Sequence, residues 1–109
     1  MMTNHGLANK TLDQITGVLI AFSQVEKALL FGSRAKGTHK PGSDIDLALI
    51  GVDLDWETVG RISSALDDLP IPYRFSLIMF NERTDSEVAA HIRRVGIPVF
   101  EKEAVAVPR

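Results

Sequence analysis

Two aspartates, Asp44 and Asp46, stand one residue apart in the segment "SDIDLALIG". The apolar residues around and after Asp46 mark a strand. Side chains of a strand alternate between its faces, so both carboxylates leave the chain on the same side. Two anions held this close raise each other's proton affinity unless a cation lies between them. Oxygen ligands favour magnesium, which is usually held by one or two carboxylates together with substrate phosphates. For an Asp-x-Asp pair taken alone, a solvated strand end remains the alternative.

Upstream lies "FGSRAKGTHK" (31–40). Gly32 ends an apolar run, where bare backbone lets a ligand approach. Ser33 offers a hydroxyl, and the amides after it can open a helix and present N–H groups to an anion. Arg34, Lys36 and Lys40 add positive charge near the same point. Gly32 and Gly37 have the interval of a Walker loop, but Thr38-His39 stands where that motif requires Lys followed by Ser or Thr. A polar turn is the bland reading of Gly-Ser by itself. Taken together, the two halves make one proposal: the Gly-Ser turn holds a triphosphate and the carboxylates hold magnesium against it. That arrangement suits metal-assisted phosphoryl or nucleotidyl transfer, in which the ion neutralises charge on the phosphates.

The flanking elements must position these groups. "TLDQITGVLIAF" (11–22) has a capping-box pattern, Thr11 with Gln14, and Leu12, Ile15, Leu19 and Phe22 at helical spacing. "VEKALLF" (25–31) and "DIDLALIG" (44–51) are strand candidates. Trp56, Val59, Ile62, Leu66 and Leu69 repeat at helical spacing after a capping Asp55, and Pro70 and Pro72 break that helix. "YRFSLIMF" (73–80) is a third strand. A last helix begins with the capping-box pair Thr84 and Glu87, with Val88, Ile92 and Val95 on one face and Gly96 as the stop. "IPVF" adds a short edge strand in which Pro98 is tolerable. The order is helix, strand, loop or short helix, strand, helix, strand, helix. It indicates a small α/β or α+β sheet covered by helices.

The bulk composition sets bounds. At 109 residues, with 45% apolar and 24% charged residues, the chain reads as one domain over 1–109 with flexible ends at 1–10 and 101–109. The formal net charge of −2 gives no global electrostatic case for nucleic acid, and direct nucleic-acid binding is not expected. The absence of cysteine excludes a disulfide framework, a thiolate metal site and a cysteine nucleophile, and fits a cytoplasmic location. No apolar run reaches membrane-spanning length, and the N-terminus lacks the apolar core of a signal peptide. His5, His39 and His91 lack metal-ligand spacing and read as solvated or locally bonded. Arg93 and Arg94 read as a solvated helix face, Trp56 as a core or helix-start residue and Tyr73 as packing. Asp53, Asp55 and Glu57 favour a helix N-terminus electrostatically.

Gly32-Ser33, followed after ten residues by Asp44-x-Asp46, resembles the signature of the DNA polymerase β-like nucleotidyltransferase superfamily. The surrounding "LLFGSRAKGTHKPGSDIDLAL" is similar to its minimal members, the small MNT proteins of bacteria and archaea. The resemblance covers roughly residues 11 to 100 and implies the polymerase β-like fold, a small mixed sheet flanked by helices. It implies that Gly32 and Ser33 bind the nucleoside triphosphate, that Asp44 and Asp46 are catalytic and bind Mg2+, and that Arg34 is a phosphate contact. It further implies a helical HEPN-type partner in a toxin–antitoxin pair, where the nucleotidyltransferase is the antitoxin and moves AMP from ATP onto the toxin. A related arrangement pairs the enzyme with a substrate-binding subunit, giving a two-protein small-molecule nucleotidyltransferase. The short chain leaves no room for its own acceptor-binding domain, so a partner is expected; an oligomer stays open.

One position departs from the pattern. The family usually supplies a third carboxylate on a later strand, and the matching segment "PYRFSLIMF" carries Ser76 there. Serine is a poor metal ligand beside carboxylates and cannot serve as the base that a carboxylate can. Three outcomes stay open: a slow enzyme with water in place of the ligand, another acid such as Glu82 or Asp85 reaching the site, or a module that binds nucleotide or partner without catalysis.

Overall fold

The structure is a computed structural model and describes residues 7–38 and 44–102. Along the chain run α1 (Asn9–Ile20), β1 (Lys27–Phe31), α2 (Gly32–Lys36), β2 (Ile45–Ile50), α3 (Trp56–Asp67), β3 (Phe75–Met79), α4 (Ser86–Val95) and β4 (Ile97–Glu101). The strands form one mixed sheet in the order β3-β2-β1-β4. β1 pairs antiparallel with β2 and with β4, and β2 pairs parallel with β3. A parallel pair needs a crossover, and α3 provides it.

Strand alternation divides the sheet into two faces. Ala28 and Leu30 of β1 and Ile45, Leu47 and Leu49 of β2 point to one side. They join Ile15 and Leu19 of α1 and Val59, Ile62 and Leu66 of α3 in the main core. Each fully buried Leu or Ile of this set contributes about 1.5–3 kcal/mol by leaving water. The opposite face carries Phe31, Asp46, Ala48 and Ser76. α4 lies on this side, packed on β1 and α2, with Ala89 and Ile92 buried. The catalytic candidates therefore stand on a face only partly roofed by a helix.

Several local expectations are corrected. α1 starts two residues before Thr11, and its N-cap, Ala8, makes no side-chain hydrogen bond, so Thr11 and Gln14 form no capping box. α4 is capped by Asp85, not Thr84: its carboxylate accepts from the N–H groups of Glu87 and Val88. The Thr84 hydroxyl instead accepts from the Asn81 N–H, tightening the preceding turn. Asp55 does cap α3, accepting from the Thr58 N–H at 2.8 Å. Gly96 ends α4 in an extended conformation rather than a left-handed one, and a side chain there would strike the Ile92 carbonyl. Of the ends read as flexible, Leu7 is fully buried, Asn9 and Lys10 open α1 and Glu101 closes β4; residues 1–6 and 103–109 lie outside the described residues. No helix among the described residues is long and apolar enough to cross a membrane.

Candidate active site at the start of β2

The last residue of β1, Phe31, is the register partner of Asp46 on β2. The chain leaves β1 through Gly32 at φ 74°, a left-handed conformation that residues with a side chain rarely adopt, and begins the single-turn helix α2. The Asp46 carboxylate occupies the space where a β-carbon on Gly32 would lie. The two halves of the sequence motif therefore meet, and Gly32 is required both for its backbone angle and for its lack of a side chain. α2 ends at Gly37, also left-handed at φ 76°, whose N–H bonds to the Arg34 carbonyl. Ser33 is half-buried.

Asp44 is exposed and Asp46 half-buried. Burial raises the proton affinity of Asp46 above the ordinary aspartate range, the Asp44 carboxylate raises it further, and the His91 imidazole offsets part of this. Burial first, and the neighbouring carboxylate second, disfavour the charged form of Asp46, and a hard divalent cation would relieve both. The donor set, the Asp46 carboxylate with that of Asp44 near enough to act on its charge, fits such an ion.

Arg34 lies in the single turn of α2. Its side chain is 2% exposed, and its guanidinium lies over the Tyr73 ring at 4.9 Å from the centroid. Arg34 thus anchors α2 to the segment leading into β3. Tyr73 packs as expected, and also serves as the platform for this cation. Lys36 is exposed on α2, while His39 and Lys40 lie outside the described residues.

Ser76 of β3 is the register partner of Asp46, on the side away from Phe31. The position read as the missing acid is therefore adjacent to Asp46, and it carries an exposed hydroxyl. Neither proposed substitute reaches it. Glu82 lies beyond the end of β3, roughly 20 Å of extended chain from Ser76, and Asp85 is committed to capping α4. Among the described residues no group of three or more His, Cys, Asp or Glu is placed to hold a metal ion.

Trp56 starts α3 but is not core. It is 67% exposed and lines a cavity of about 370 Å³ toward the C-terminal end of β3, with Met79 and Val88. Arg93 is exposed and stacks on Phe80. His91 has no metal-ligand spacing, yet it lies edge-on against Phe31, beside the site. Its only sequence signal was its place next to Ile92, at the margin of the packed stripe of α4.

The family model described as "Polymerase beta, Nucleotidyltransferase" matches residues 13–104. The chain belongs to this family. Its enzymes generally work with a divalent metal and a nucleoside triphosphate. The chain is 36% identical over 74 residues to the "Probable protein adenylyltransferase MntA" of Haemophilus influenzae, covering 67% of this chain and 64% of that protein. The match thus spans just under two thirds of that relative's length. Among solved structures, the chain is similar to one described as a toxin-antitoxin with AMP-PNP, at TM-score 0.59 and 27% identity over 84% of this chain and 74% of the other. It shares its fold with a chain from the complex of a tri-AMPylated Shewanella oneidensis HEPN toxin with an MNT antitoxin, at TM-score 0.54 and 24% identity over 85% of this chain and 71% of that one. The small mixed sheet flanked by helices is the polymerase β-like nucleotidyltransferase fold.

Proposed function

We propose that this chain is a magnesium-dependent nucleotidyltransferase, a minimal domain that moves AMP from ATP onto a hydroxyl of a small helical HEPN-type partner. It acts as the antitoxin of a toxin–antitoxin pair in the cytoplasm. The observation that carries this reading is the contact between the Asp46 carboxylate and the bare Cα of Gly32, which brings the metal-ligand candidate onto the nucleotide-holding turn. The named relatives, a protein adenylyltransferase and a toxin-antitoxin solved with AMP-PNP, support the choice of ATP and of a protein acceptor.

In this reading Gly32 and Ser33 hold the triphosphate, and Asp44 and Asp46 hold the metal. Held there, magnesium would neutralise charge on the phosphates. The acceptor oxygen attacks the α-phosphorus and forms a new P–O bond. The bond from that phosphorus to the oxygen bridging to the β-phosphate breaks, and pyrophosphate leaves with the electron pair. The acceptor's proton passes to water, because Ser76 is no base. The expected result is a slow enzyme whose rate rests on positioning and charge.

A second reading is favoured by Ser76 itself: the fold persists as a module that masks its partner without chemistry. Incubating the protein with labelled ATP, magnesium and its helical partner, beside an Asp46→Ala control, separates the two. Label on the partner that vanishes in the control supports transfer. A tight complex without label supports masking.

A further inference from the structure

The groups used so far come from β1, α2, β2 and β3. α4 brings one more polar side chain to the same place. The His91 ring meets Phe31 edge-on, with centroids 6.2 Å apart and planes at 80°. Phe31 immediately precedes Gly32 and pairs with Asp46. α4 also packs on α2, so the imidazole lies where β1 turns into the Gly32-Ser33 segment. It is half-buried, neither sealed in the core nor out on the solvent face.

An aromatic packing residue would meet the first of these facts, but not the placement as a whole. The strand order puts Phe31 and Ser76 on opposite sides of Asp46. His91 therefore does not stand where the third acid is missing; it stands on the side of the turn. A triphosphate seated there carries several negative charges beside two carboxylates and needs donors. Arg34, the cation nearest in sequence, has its guanidinium buried against Tyr73. We infer that His91 is a nucleotide-contacting residue whose ring N–H donates to a phosphate oxygen of the triphosphate held by Gly32 and Ser33. This rests on the nucleotidyltransferase reading and adds a residue from a fifth element, α4, to it.

The test uses the full chain and magnesium–AMP-PNP as the probe, with binding measured by calorimetry and folding by thermal unfolding. His91→Phe keeps a ring against Phe31 and removes the donor; His91→Gln keeps a donor and removes the ring. His91→Phe should bind the analogue roughly ten-fold or more weakly, as expected for losing a charge-assisted hydrogen bond, with an unfolding temperature close to the wild type. His91→Gln should recover part of the affinity. Wild-type affinity in His91→Phe would overturn the inference while leaving the enzyme reading intact. Equal loss of affinity in both variants, with a large fall in unfolding temperature, would also overturn it by making His91 a packing residue. Failure of the wild type itself to bind the analogue would sink the nucleotidyltransferase reading, and this inference with it.

Discussion

The carboxylate of Asp46 lies against the Cα of Gly32, in the space a side chain on Gly32 would need. Gly32 also holds φ at 74°. Gly32→Ala therefore meets two penalties at once. The left-handed backbone costs about 1–3 kcal/mol for a residue with a β-carbon. Relieving the collision moves Asp46, and a misplacement of about 1 Å in such a site lowers transfer about a hundred-fold. Denaturant unfolding and a transfer assay on the same variant check both effects.

Asp46→Asn should abolish transfer yet stabilise the metal-free protein at neutral pH. Asp46 has its proton affinity raised in the folded state, by burial first and Asp44 second. The folded state thus binds more protons than the unfolded state between the ordinary aspartate range and the raised value, so stability falls as pH rises through that interval. Above it the cost is fully present, and the variant should unfold at a higher temperature than the wild type. Acidifying through the raised value should shrink the difference. Magnesium with nucleotide should raise the wild type's unfolding temperature and leave the variant's nearly unchanged.

Ser76→Asp should restore an acid next to Asp46, since the two positions are paired across β2 and β3. If proton removal from the acceptor limits the rate, transfer should rise by about a hundred-fold or more, the usual range for a positioned base. A third carboxylate on the same face should also lower the metal-free unfolding temperature. A rate equal to the wild type would show that the acceptor proton is not limiting.

Arg34→Lys tests whether the buried guanidinium acts through its plane or through its charge. Lysine keeps the charge but cannot stack on Tyr73 in the same way. The expected outcome is a lower unfolding temperature and a raised KM for ATP, because α2 loses its anchor. Tyr73→Leu should reproduce the effect. A normal KM in Arg34→Lys would show that stacking on Tyr73 is not what positions α2 for the nucleotide.

Much of this site could be read from local pattern. Period-two alternation puts Asp46 on the face opposite the core residues Ile45, Leu47 and Leu49, and the Gly-Ser turn after an apolar strand marks a close approach. The helix at Asp55 and the edge strand at Ile97 follow from caps and periodicity. What local pattern cannot supply is the partner across space. The burial of Arg34 under Tyr73, the meeting of His91 with Phe31 and the separation of Glu82 from Ser76 depend on strand order and on the path of α4 over the sheet. Thr84 and Asp85 both suit the cap of α4, and only the turn at Asn81, which takes the Thr84 hydroxyl, decides between them.

The most direct measurement is the intact mass of the helical partner after incubation with ATP, magnesium and either the wild type or Asp46→Asn. The account predicts a partner heavier by one or more AMP groups with the wild type and unchanged with the variant. An unmodified partner in a stable complex with the wild type would contradict it and leave Ser76 as the mark of a domain that binds without transferring.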